Sequence, residues 1–283
     1  MPILTSRREI ERIASAALAE DGRLDITTAL TVPPRLHAAG VIEFRSGGVV
    51  SGVAYADEVG RSCGTRMEWT VQEADTVSPG TALGLIRGEL ADILRAERSL
   101  LNLLQRATGI ATATRKFVDA VQGTGSRILH TRKTAPGLRS LDLAAVIAGG
   151  GQAHRADLSH EIMVKDNHWH ALAHSGSGLD RALAEGRKRG ITALYVEVES
   201  EEQLELACAA GATRLLIDNQ APATVRRWAE LARQRAPGIQ IEATGGISLT
   251  NVRDYAEAGA DFISIGALTH SVAAADIAIE VKL

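Results

Sequence analysis

The sequence is poor in the residues that mark several common classes of protein. Trp, Tyr and Phe occur only three times each among 283 residues and the formal net charge is −3, so neither a base-stacking surface nor attraction to nucleic acid is indicated. No run approaches the roughly 20 apolar residues of a membrane helix, and the first residues contain no apolar core of a secretory signal. The two cysteines, Cys63 and Cys208, fit no metal-binding or redox spacing, which predicts a reduced, cytoplasmic protein.

What is present is typical of a globular protein, with 45% hydrophobic and 23% charged residues and a length that suggests about two domains. Residues 7–20 have the apolar spacing of a helix, and the runs 38–55 and 66–88 consist of short strand-like pieces that predict an antiparallel sheet. From residue 89 the apolar period changes to that of a long amphipathic helix, predicted over 89–108 and ending near Gly109.

The remainder alternates strand-like and helical segments, which is typical of a parallel α/β sheet. A full barrel has eight strands, whereas the pattern provides six. It therefore predicts a smaller or irregular α/β barrel, with an open, doubly wound sheet as the alternative. The predicted strands are 127–131, 161–165, 194–199, 214–218, 239–243 and 262–266.

Reactive side chains follow these strands one after another. In a barrel of this type the carboxyl ends of the strands form one rim, which carries the active site. Five clusters from segments far apart in the sequence therefore predict a site at this rim. They are His130-Thr131-Arg132-Lys133, Lys165-Asp166-Asn167-His168, Glu197 with Glu199, Asp218-Asn219, and Glu242 before Thr244-Gly245-Gly246.

The glycines after the last two strands permit two interpretations. Gly245-Gly246 and Gly266 either make tight turns or let backbone N–H groups approach a phosphate, as the loops after the last barrel strands commonly do. Their occurrence at consecutive strand ends favours a phosphate site.

The charged residues of the rim suit a small polyanion. Arginine binds carboxylates through paired hydrogen bonds, and carboxylates beside a phosphate site are natural Mg²⁺ ligands, although salt bridges with the basic residues explain them equally well. Lys165 ends an apolar strand and therefore requires either an anionic partner or a lowered pKa. Zinc is a weaker alternative, because His168, His170 and His174 have no carboxylate or cysteine nearby to complete a ligand set. The basic set is Arg98, Arg132, Lys133, Arg139, His154, Arg155 and Lys165, and the acidic set is Asp166, Glu197 and Asp218.

A series of motifs resembles one known family. ERSLLNLLQRATGIAT, TRKTAPGLR, AGGGQAHR, VKDNH, IDN, EATGGI and IGALTHS follow one another over residues 97–271, and EDGRLDITT precedes them. They look like the motifs of the quinolinate phosphoribosyltransferases, and the resemblance covers nearly the whole chain. It implies transfer of phosphoribosyl from 5-phosphoribosyl-1-pyrophosphate to quinolinate with decarboxylation, giving nicotinate mononucleotide, CO₂ and pyrophosphate in NAD biosynthesis.

The resemblance also implies an architecture, that of the type II phosphoribosyltransferases. An N-terminal α/β sandwich over residues 1–108, to which the tail 271–283 returns, would precede an irregular six-unit α/β barrel over 109–270. It implies a homodimer, or a hexamer built from dimers, in which the sandwich of one subunit covers the barrel rim of the other. The cofactor that it implies is Mg²⁺.

Roles for individual residues follow from the same resemblance. The carboxylates of the acid would meet Arg132, His154, Arg155 and Lys165, with Arg98 from the partner subunit. The sugar pyrophosphate and Mg²⁺ would meet Lys133, Asp166, His168, Glu197 and Asp218. Catalysis would depend on Lys133, Glu197 and Asp218, of which the two carboxylates would hold the metal directly or through water. The 5′-phosphate would lie against Thr244, Gly245, Gly246 and Gly266, with His270 nearby.

Three residues depart from the family pattern. His130 stands where the family usually has Asp, Thr244 where it has Ser, and Gln220 where it has Met. We expect His130 to be either a titrating group at the acid pocket, which tightens binding as the pH falls through about 6.5, or a buried neutral histidine bonded to backbone. The exact acid therefore stays open.

Other functions fit parts of the sequence. A relative associated with molybdenum transport shares the TRKT and GGGxxHR motifs but lacks the KDNH motif found at 165–168. Lys165 at a strand end would also suit a Schiff-base aldolase. A lipoyl-type carrier domain is excluded for the turn near residue 79, because the first lysine of the chain is Lys116.

Overall fold

The structure, a computed structural model, describes residues 6–175 and 178–283. These residues divide into two compact units. The first contains the chain up to Arg115 together with Lys133–Gly151 and Ala267–Leu283, and the second contains Lys116–Arg132 and Gln152–Gly266. The domain boundaries expected from the sequence stay a prediction.

Three helices of the first unit lie within its first 62 residues, and strands precede the third. α1 (Arg7–Glu20) confirms the helix predicted over residues 7–20, and the hydroxyl of Ser6 accepts from the Glu9 N–H at its start. This bond satisfies one of the donors that a helix leaves without a partner at its first turn. α2 spans Ile26–Thr31 and α3 spans Val53–Ser62.

The strand-like run predicted over 38–55 is wrong at its end, because residues 53–55 open helix α3. Gly52 precedes the helix with a φ of 93°, a conformation that side chains rarely adopt. The Glu73 carboxylate accepts from the N–H groups of Gly52 and Val53 at 3.1 and 3.2 Å. A carboxylate from a distant segment therefore stabilises the start of this helix.

The main sheet of the first unit is antiparallel, as predicted. It contains β1 (His37–Phe44), β3 (Arg66–Trp69), β5 (Thr81–Glu89) and β12 (Ile277–Lys282), in the order β12-β1-β5-β3. Two short strands, β2 (Gly48–Val49) and β4 (Thr76–Val77), pair separately. The pairing of β12 with β1 brings the C-terminal segment back to this sheet.

The long helix α4 spans Leu90–Ala120, so the end predicted near Gly109 is wrong. Ile110 and Ala111 are fully buried, so the apolar face of the helix continues past the glycine. A side chain at Gly109 would overlap the carbonyl oxygen of Ala273. This glycine therefore allows a close approach of the chain and does not end the helix. Two further helices of this unit are α5 (Arg139–Ala148) and α11 (Ala267–His270).

The second unit confirms all six predicted strands, which form one parallel sheet within the described residues. Helices follow the strands in sequence. The strands are β6 (Arg127–Leu129), β7 (Ile162–Val164), β8 (Leu194–Val198), β9 (Arg214–Asp218), β10 (Gln240–Thr244) and β11 (Phe262–Ser264). The helices are α6 (Asp166–Ser175), α7 (Leu179–Lys188), α8 (Glu201–Ala209), α9 (Pro222–Arg235) and α10 (Val252–Glu257).

The strand order, β6-β11-β10-β9-β8-β7, decides between the two predicted architectures. The strand that comes first in the sequence, β6, pairs with the strand that comes last, β11. This is the circular order of a barrel that is left open between β6 and β7. A doubly wound sheet would reverse its winding at an internal strand. The irregular six-unit barrel is therefore confirmed. Within the described residues, no helix combines the length and apolar character needed to cross a membrane.

Candidate active site

The carboxyl ends of the strands in the second unit meet at one edge of the sheet, because all six strands run in the same direction. From β11 to β7 this edge presents first the glycines that follow β11 and β10, then Asp218 at the end of β9, then Glu197 on β8, and finally Lys165 after β7. Thr244 at the end of β10 is the register partner of Asp218. Groups suited to phosphate, to carboxylate chemistry and to anions are therefore neighbours along one edge.

Two successive glycines shape the loop after β10. Gly245 and Gly246 have φ values of 84° and 61°. A Cβ at Gly245 would lie 2.6 Å from Cγ of Asn219 and 2.9 Å from its backbone nitrogen, so only glycine fits there. A Cβ at Gly246 would meet no atom within 4 Å. The loop thus combines a tight turn with an open backbone surface, and the two interpretations of these glycines are compatible.

Asn219 connects this loop to the neighbouring carboxylate. Its φ is 52°, and its N–H donates to the carbonyl oxygen of Thr244 at 2.9 Å. Its Nδ2 donates to Oδ2 of Asp218 at 2.6 Å. The residue that excludes a side chain from position 245 therefore also orients the Asp218 carboxylate.

Glu197 is the anionic partner of Lys165. It lies near the end of β8, is 6% exposed, and forms an ion pair with Nζ of Lys165. Its carbonyl oxygen accepts from Nε1 of Trp169 at 2.8 Å. The salt-bridge interpretation of the acidic residues is thus confirmed for Glu197.

The first turn of α6 carries two further predicted site residues, Asp166 and His168, and both are exposed. Nδ1 of His168 accepts from the Lys165 N–H at 3.0 Å, which orients the imidazole at the helix start. No group of three His, Cys, Asp or Glu side chains in the described parts of the chain could hold a metal ion. The structure therefore gives no support for zinc at His170 and His174.

Two arginines of the second unit are partly buried. Burial and the charge of Arg132 lower the pKa of Arg155, and the nearby carboxylates of Glu161 and Asp157 only partly oppose this. Nε of Arg132 is buried and makes no hydrogen bond to the described residues. A half-buried arginine beside a second arginine whose buried Nε has an unused N–H is an arrangement that a bound carboxylate would stabilise.

A buried network, which consists of His130, His154, Arg214 and Glu242, occupies the same unit. His130 and Glu242 are completely buried, although both were predicted among the reactive side chains of the rim, and this prediction is wrong. Nε2 of His130 accepts from the His154 N–H at 3.0 Å, and Nη1 of Arg214 donates to Oε2 of Glu242 at 3.1 Å. On β10, Glu242 lies two positions before Thr244, the residue at the rim, so the two side chains share a face of the sheet.

The structure decides between the two expectations for His130. Burial, followed by the charge of His154, lowers its pKa from 6.5 to about 4, against smaller opposing effects of the Thr131 backbone and Glu242. The side chain accepts a hydrogen bond from backbone and is not exposed. His130 is therefore the buried neutral histidine and not a titrating group at the acid pocket.

Three predicted residues lie in the first unit, namely Lys133, Arg139 and His270. The carbonyl oxygen of Lys133 accepts from Oγ1 of Thr269 at 2.8 Å, so Lys133 and His270 occupy neighbouring segments of that unit. Nε of Arg139 donates to Oγ1 of Thr134 at 3.3 Å.

Arg98 is exposed on α4 and lines a cavity of about 400 Å³ in the first unit. Much of the lining comes from residues 21–26, which belong to the EDGRLDITT segment. The charged lining residues are Asp21, Arg23, Asp25, Arg95 and Arg98. Of these five, the sequence analysis identified only Arg98.

Family models match both parts of the chain. The model for the C-terminal domain of quinolinate phosphoribosyl transferase matches residues 110–280, and the model for its N-terminal domain matches residues 25–108. The nicotinate-nucleotide pyrophosphorylase [carboxylating] of Mycobacterium leprae (strain TN) is 39% identical over 270 residues, which are 93% of this chain and 94% of that protein. The chain belongs to the quinolinate phosphoribosyltransferase family.

Other members of the quinolinate phosphoribosyltransferase family agree with this assignment. The probable nicotinate-nucleotide pyrophosphorylase [carboxylating] of Bacillus subtilis (strain 168) is 42% identical over 213 residues, or 75% of this chain and 72% of that protein. The solved structure of the nicotinate-nucleotide pyrophosphorylase from Francisella tularensis matches with a TM-score of 0.90 at 29% identity, and 98% of each chain is covered. The predicted family and fold are confirmed.

Proposed function

We propose that this chain transfers the phosphoribosyl group of 5-phosphoribosyl-1-pyrophosphate to the ring nitrogen of quinolinate, with loss of the 2-carboxylate as CO₂. The relatives carry the names of this pentosyltransferase. The observation that carries the proposal is the order of groups along one sheet edge: glycine loops, then two carboxylates, then a cation. A phosphate, a ribose and an acid bound in this order would bring the ribose next to the carboxylates.

The acid half of the site is proposed at the cationic side chains. Arg155 is partly desolvated, and the buried Nε of Arg132 has an N–H that makes no hydrogen bond to the described residues. Lys165 is 41% exposed and so remains accessible beside its Glu197 partner. These groups would bind the two carboxylates and hold the ring without covalent chemistry. The resemblance adds Arg98 from the partner subunit. It also adds His154, but the side chain of His154 is 5% exposed and both ring nitrogens face protein groups, so His154 would act through its neighbour Arg155.

The phosphate half is proposed at the loops after β10 and β11, with Thr244, Gly245, Gly246 and Gly266 facing the 5′-phosphate. The open backbone at Gly246 supports this assignment. The resemblance assigns Lys133, Asp166 and His168 to the sugar pyrophosphate, with His270 near the 5′-phosphate. Exposure of Lys133, Asp166 and His168 is compatible with contact to a large, highly charged substrate.

The carboxylates fit the Mg²⁺ that the family implies. Mg²⁺ is commonly held by one or two carboxylates together with substrate phosphates and water, and Glu197 and Asp218 lie on adjacent strands. When bound, the ion would neutralise charge on the pyrophosphate. Glu197 already has Lys165 as partner, so Asp218, which is oriented by Asn219, is the more available ligand.

The chemistry then follows from charge. The ring nitrogen displaces pyrophosphate at C1, and positive charge develops on the ribose as the C1–O bond breaks. Glu197 and Asp218 would stabilise this charge electrostatically, and Lys133 would stabilise the departing pyrophosphate. The electron pair of the broken C–CO₂ bond stays on C2, where the adjacent quaternised nitrogen stabilises it, and C2 then takes up a proton from water, so no nucleophilic side chain is needed.

We also propose a homodimer, or a hexamer of dimers, that shares its active sites, in the cytoplasm. Leu24, Ile26 and Leu30 are 70%, 64% and 81% exposed, a cluster of apolar side chains that a partner subunit would cover. Arg98 lines the cavity that Leu24 and Ile26 also line. An interface there would bring Arg98 to the partner. The cytoplasmic location is supported by two cysteines that are free and buried.

Calorimetry of quinolinate, nicotinate and nicotinamide, followed by a CO₂ assay with the sugar pyrophosphate, tests the function. We expect quinolinate to bind most tightly and CO₂ release to require the sugar pyrophosphate. Acid binding without CO₂ release would favour the molybdenum-linked alternative. Borohydride trapping of a carbonyl substrate on Lys165 would favour the aldolase.

A further inference from the structure

The buried network contains an ion pair, Arg214 with Glu242, that the proposed reaction does not use. Arg214 is 8% exposed and Glu242 is completely buried. Replacing such a pair by apolar side chains is often neutral or stabilising, so the pair is poorly explained by stability alone. We propose that Glu242 is a positioning residue: it holds the His154 imidazole in one tautomer, and His154 in turn fixes the backbone that presents Arg155 to the acid.

Both ring nitrogens of His154 are directed at protein groups. Nδ1 accepts from the Arg155 N–H at 2.6 Å, so a neutral ring carries its proton on Nε2, which lies 3.2 Å from Oε1 of Glu242. The His154 N–H itself donates to His130. Two successive backbone N–H groups are thus held by imidazole nitrogens. Tyr195 packs edge-on against the His154 ring, with 5.7 Å between centroids, and limits its rotation.

Glu242 lies between two donor groups, Arg214 and His154. A side chain at this position therefore needs an acceptor atom facing each of them. Oε2 accepts from Nη1 of Arg214 at 3.1 Å, whereas Oε1 is buried, makes no aligned hydrogen bond to the described residues, and has Nε2 of His154 at 3.2 Å as its donor neighbour. A carboxylate accepts through both oxygens, whereas an amide accepts through one. Burial by itself would raise the pKa of Glu242, but His154, Arg214 and the Ser264 hydroxyl together lower it, which keeps the group in its acceptor form.

A Glu242→Gln substitution leaves one acceptor oxygen for two donor groups, Arg214 and His154, so only one of them keeps an acceptor. Arg214 is cationic and keeps the single amide oxygen, since charge-assisted hydrogen bonds are the stronger ones. The amide NH₂ then faces His154 and forces the ring proton onto Nδ1. That nitrogen becomes a donor opposite the Arg155 N–H, so the backbone at Arg155 loses one of its anchors.

The effect should be specific to the acid. Arg155 is proposed to bind the acid, whereas the groups proposed for the sugar phosphate, such as Asp218 and Gly245, are oriented by Asn219 and not by the buried network. The naming of the acid rests on the proposed function, but the tautomer of His154 does not.

The test uses the full-length enzyme. We expect Glu242→Gln to raise the dissociation constant of quinolinate on the order of tenfold, the lower end of the loss seen when the outer hydrogen-bond partner of a metal-bound histidine is removed. The KM for the sugar pyrophosphate should change little. In ¹⁵N spectra of histidine-labelled protein, His154 should carry its proton on Nε2 in the wild type and on Nδ1 in the variant.

Asp261→Asn is the matched control. Asp261 is also a carboxylate of the second unit, pairs with Arg233 at 3.1 Å, and accepts from the N–H of Ile241, the residue before Glu242. It lies at the start of β11, away from the carboxyl edge. We expect this variant to keep wild-type acid affinity and the wild-type tautomer of His154, even if its melting temperature falls.

Several results would overturn the positioning role. They are an equal loss of affinity for both substrates in Glu242→Gln, an equal loss of acid affinity in Asp261→Asn, or an unchanged tautomer in Glu242→Gln. If Glu242→Gln does not fold, the wild-type spectrum decides, because a proton on Nδ1 of His154 contradicts the proposal. A wild-type enzyme that fails to bind quinolinate would instead refute the proposed function, and the tautomer would still test the network.

Discussion

Replacing Gly245 by alanine should disrupt the phosphate loop and the Asp218 carboxylate together. The φ of 84° costs an alanine about 1–2 kcal/mol relative to glycine. The new Cβ would also lie 2.6 Å from Cγ of Asn219, and relieving such overpacking typically costs about 1–3 kcal/mol. The expected loss of unfolding free energy is therefore about 2–5 kcal/mol, or about 4–10 °C in melting temperature for a chain of this size.

The functional effect follows from what Asn219 contacts. Its displacement removes the hydrogen bond to Oδ2 of Asp218, which is 2.6 Å long. A hydrogen bond to a charged group contributes about 1.5–3 kcal/mol, so the KM for the sugar pyrophosphate should rise about tenfold to a hundredfold. Acid affinity, measured separately by calorimetry, should change less.

Gly238→Ala separates strain from collision. Gly238 has a φ of 90°, and a Cβ there would meet no atom within 4 Å. The residue lies before β10, at the opposite end of the strand from the loop that contains Gly245. Its variant should lose only the about 1–2 kcal/mol of backbone strain and retain the wild-type KM. Equal melting temperatures for the two variants, together with a wild-type KM in Gly245→Ala, would refute the reasoning from Asn219.

Three further predictions concern the charged groups. Arg155→Ala should weaken acid binding by about 2–5 kcal/mol in calorimetry and leave binding of the sugar pyrophosphate unchanged. Lys165→Ala should weaken the binding of both substrates, because it leaves the Glu197 carboxylate without its partner. Equal effects of Arg155→Ala on the two substrates would contradict the proposed acid pocket. Mixing inactive Arg98→Ala with inactive Lys133→Ala should restore activity by forming one intact shared site, and continued inactivity in heterodimers detected by mass spectrometry would contradict a shared site. His130→Asn should flatten the pH dependence of unfolding in chemical denaturation between pH 6.5 and 4, and an unchanged profile would contradict the buried neutral state.

Periodicity predicted most of the fold because its signals are local. The six strands of the parallel sheet and helix α1 lie where their apolar patterns predicted them. The errors depend on contacts from far along the chain. Gly109 was predicted to end helix α4, but its lack of a side chain instead allows Ala273 to approach closely. Helix α3 starts at Val53, where the Glu73 carboxylate accepts from the backbone N–H groups at the helix start.

The candidate site was predicted at the level of strand ends, and the remaining errors concern the depth of a residue along its strand and the partners that come from other strands. Glu242 lies two positions before Thr244 and is buried, although both were counted at the rim. The partner of Lys165 is 32 positions away, on the neighbouring strand β8, and no local pattern selects Glu197 for it. The role of Asn219 depends on its positive φ. Asn tolerates a positive φ better than most residues but does not require one, so the sequence alone does not predict this conformation.

His130 shows what a departure from a family pattern does when the position is buried. Its pKa of about 4 in the folded chain is below the ordinary value of 6.5, so the ring is neutral in both states above pH 6.5 and its contribution to stability is then complete. As the pH falls from 6.5 towards 4, the unfolded chain takes up a proton that the folded chain does not, and stability is lost, by about 3 kcal/mol in total for a difference of this size. The acid affinity between pH 5.5 and 8 should show no step from this group, because it does not titrate there. A His130→Asn variant cannot be protonated, so it removes the titrating group. If acid affinity changes with pH in the wild type and not in this variant, His130 titrates in the native protein and the buried neutral assignment is wrong.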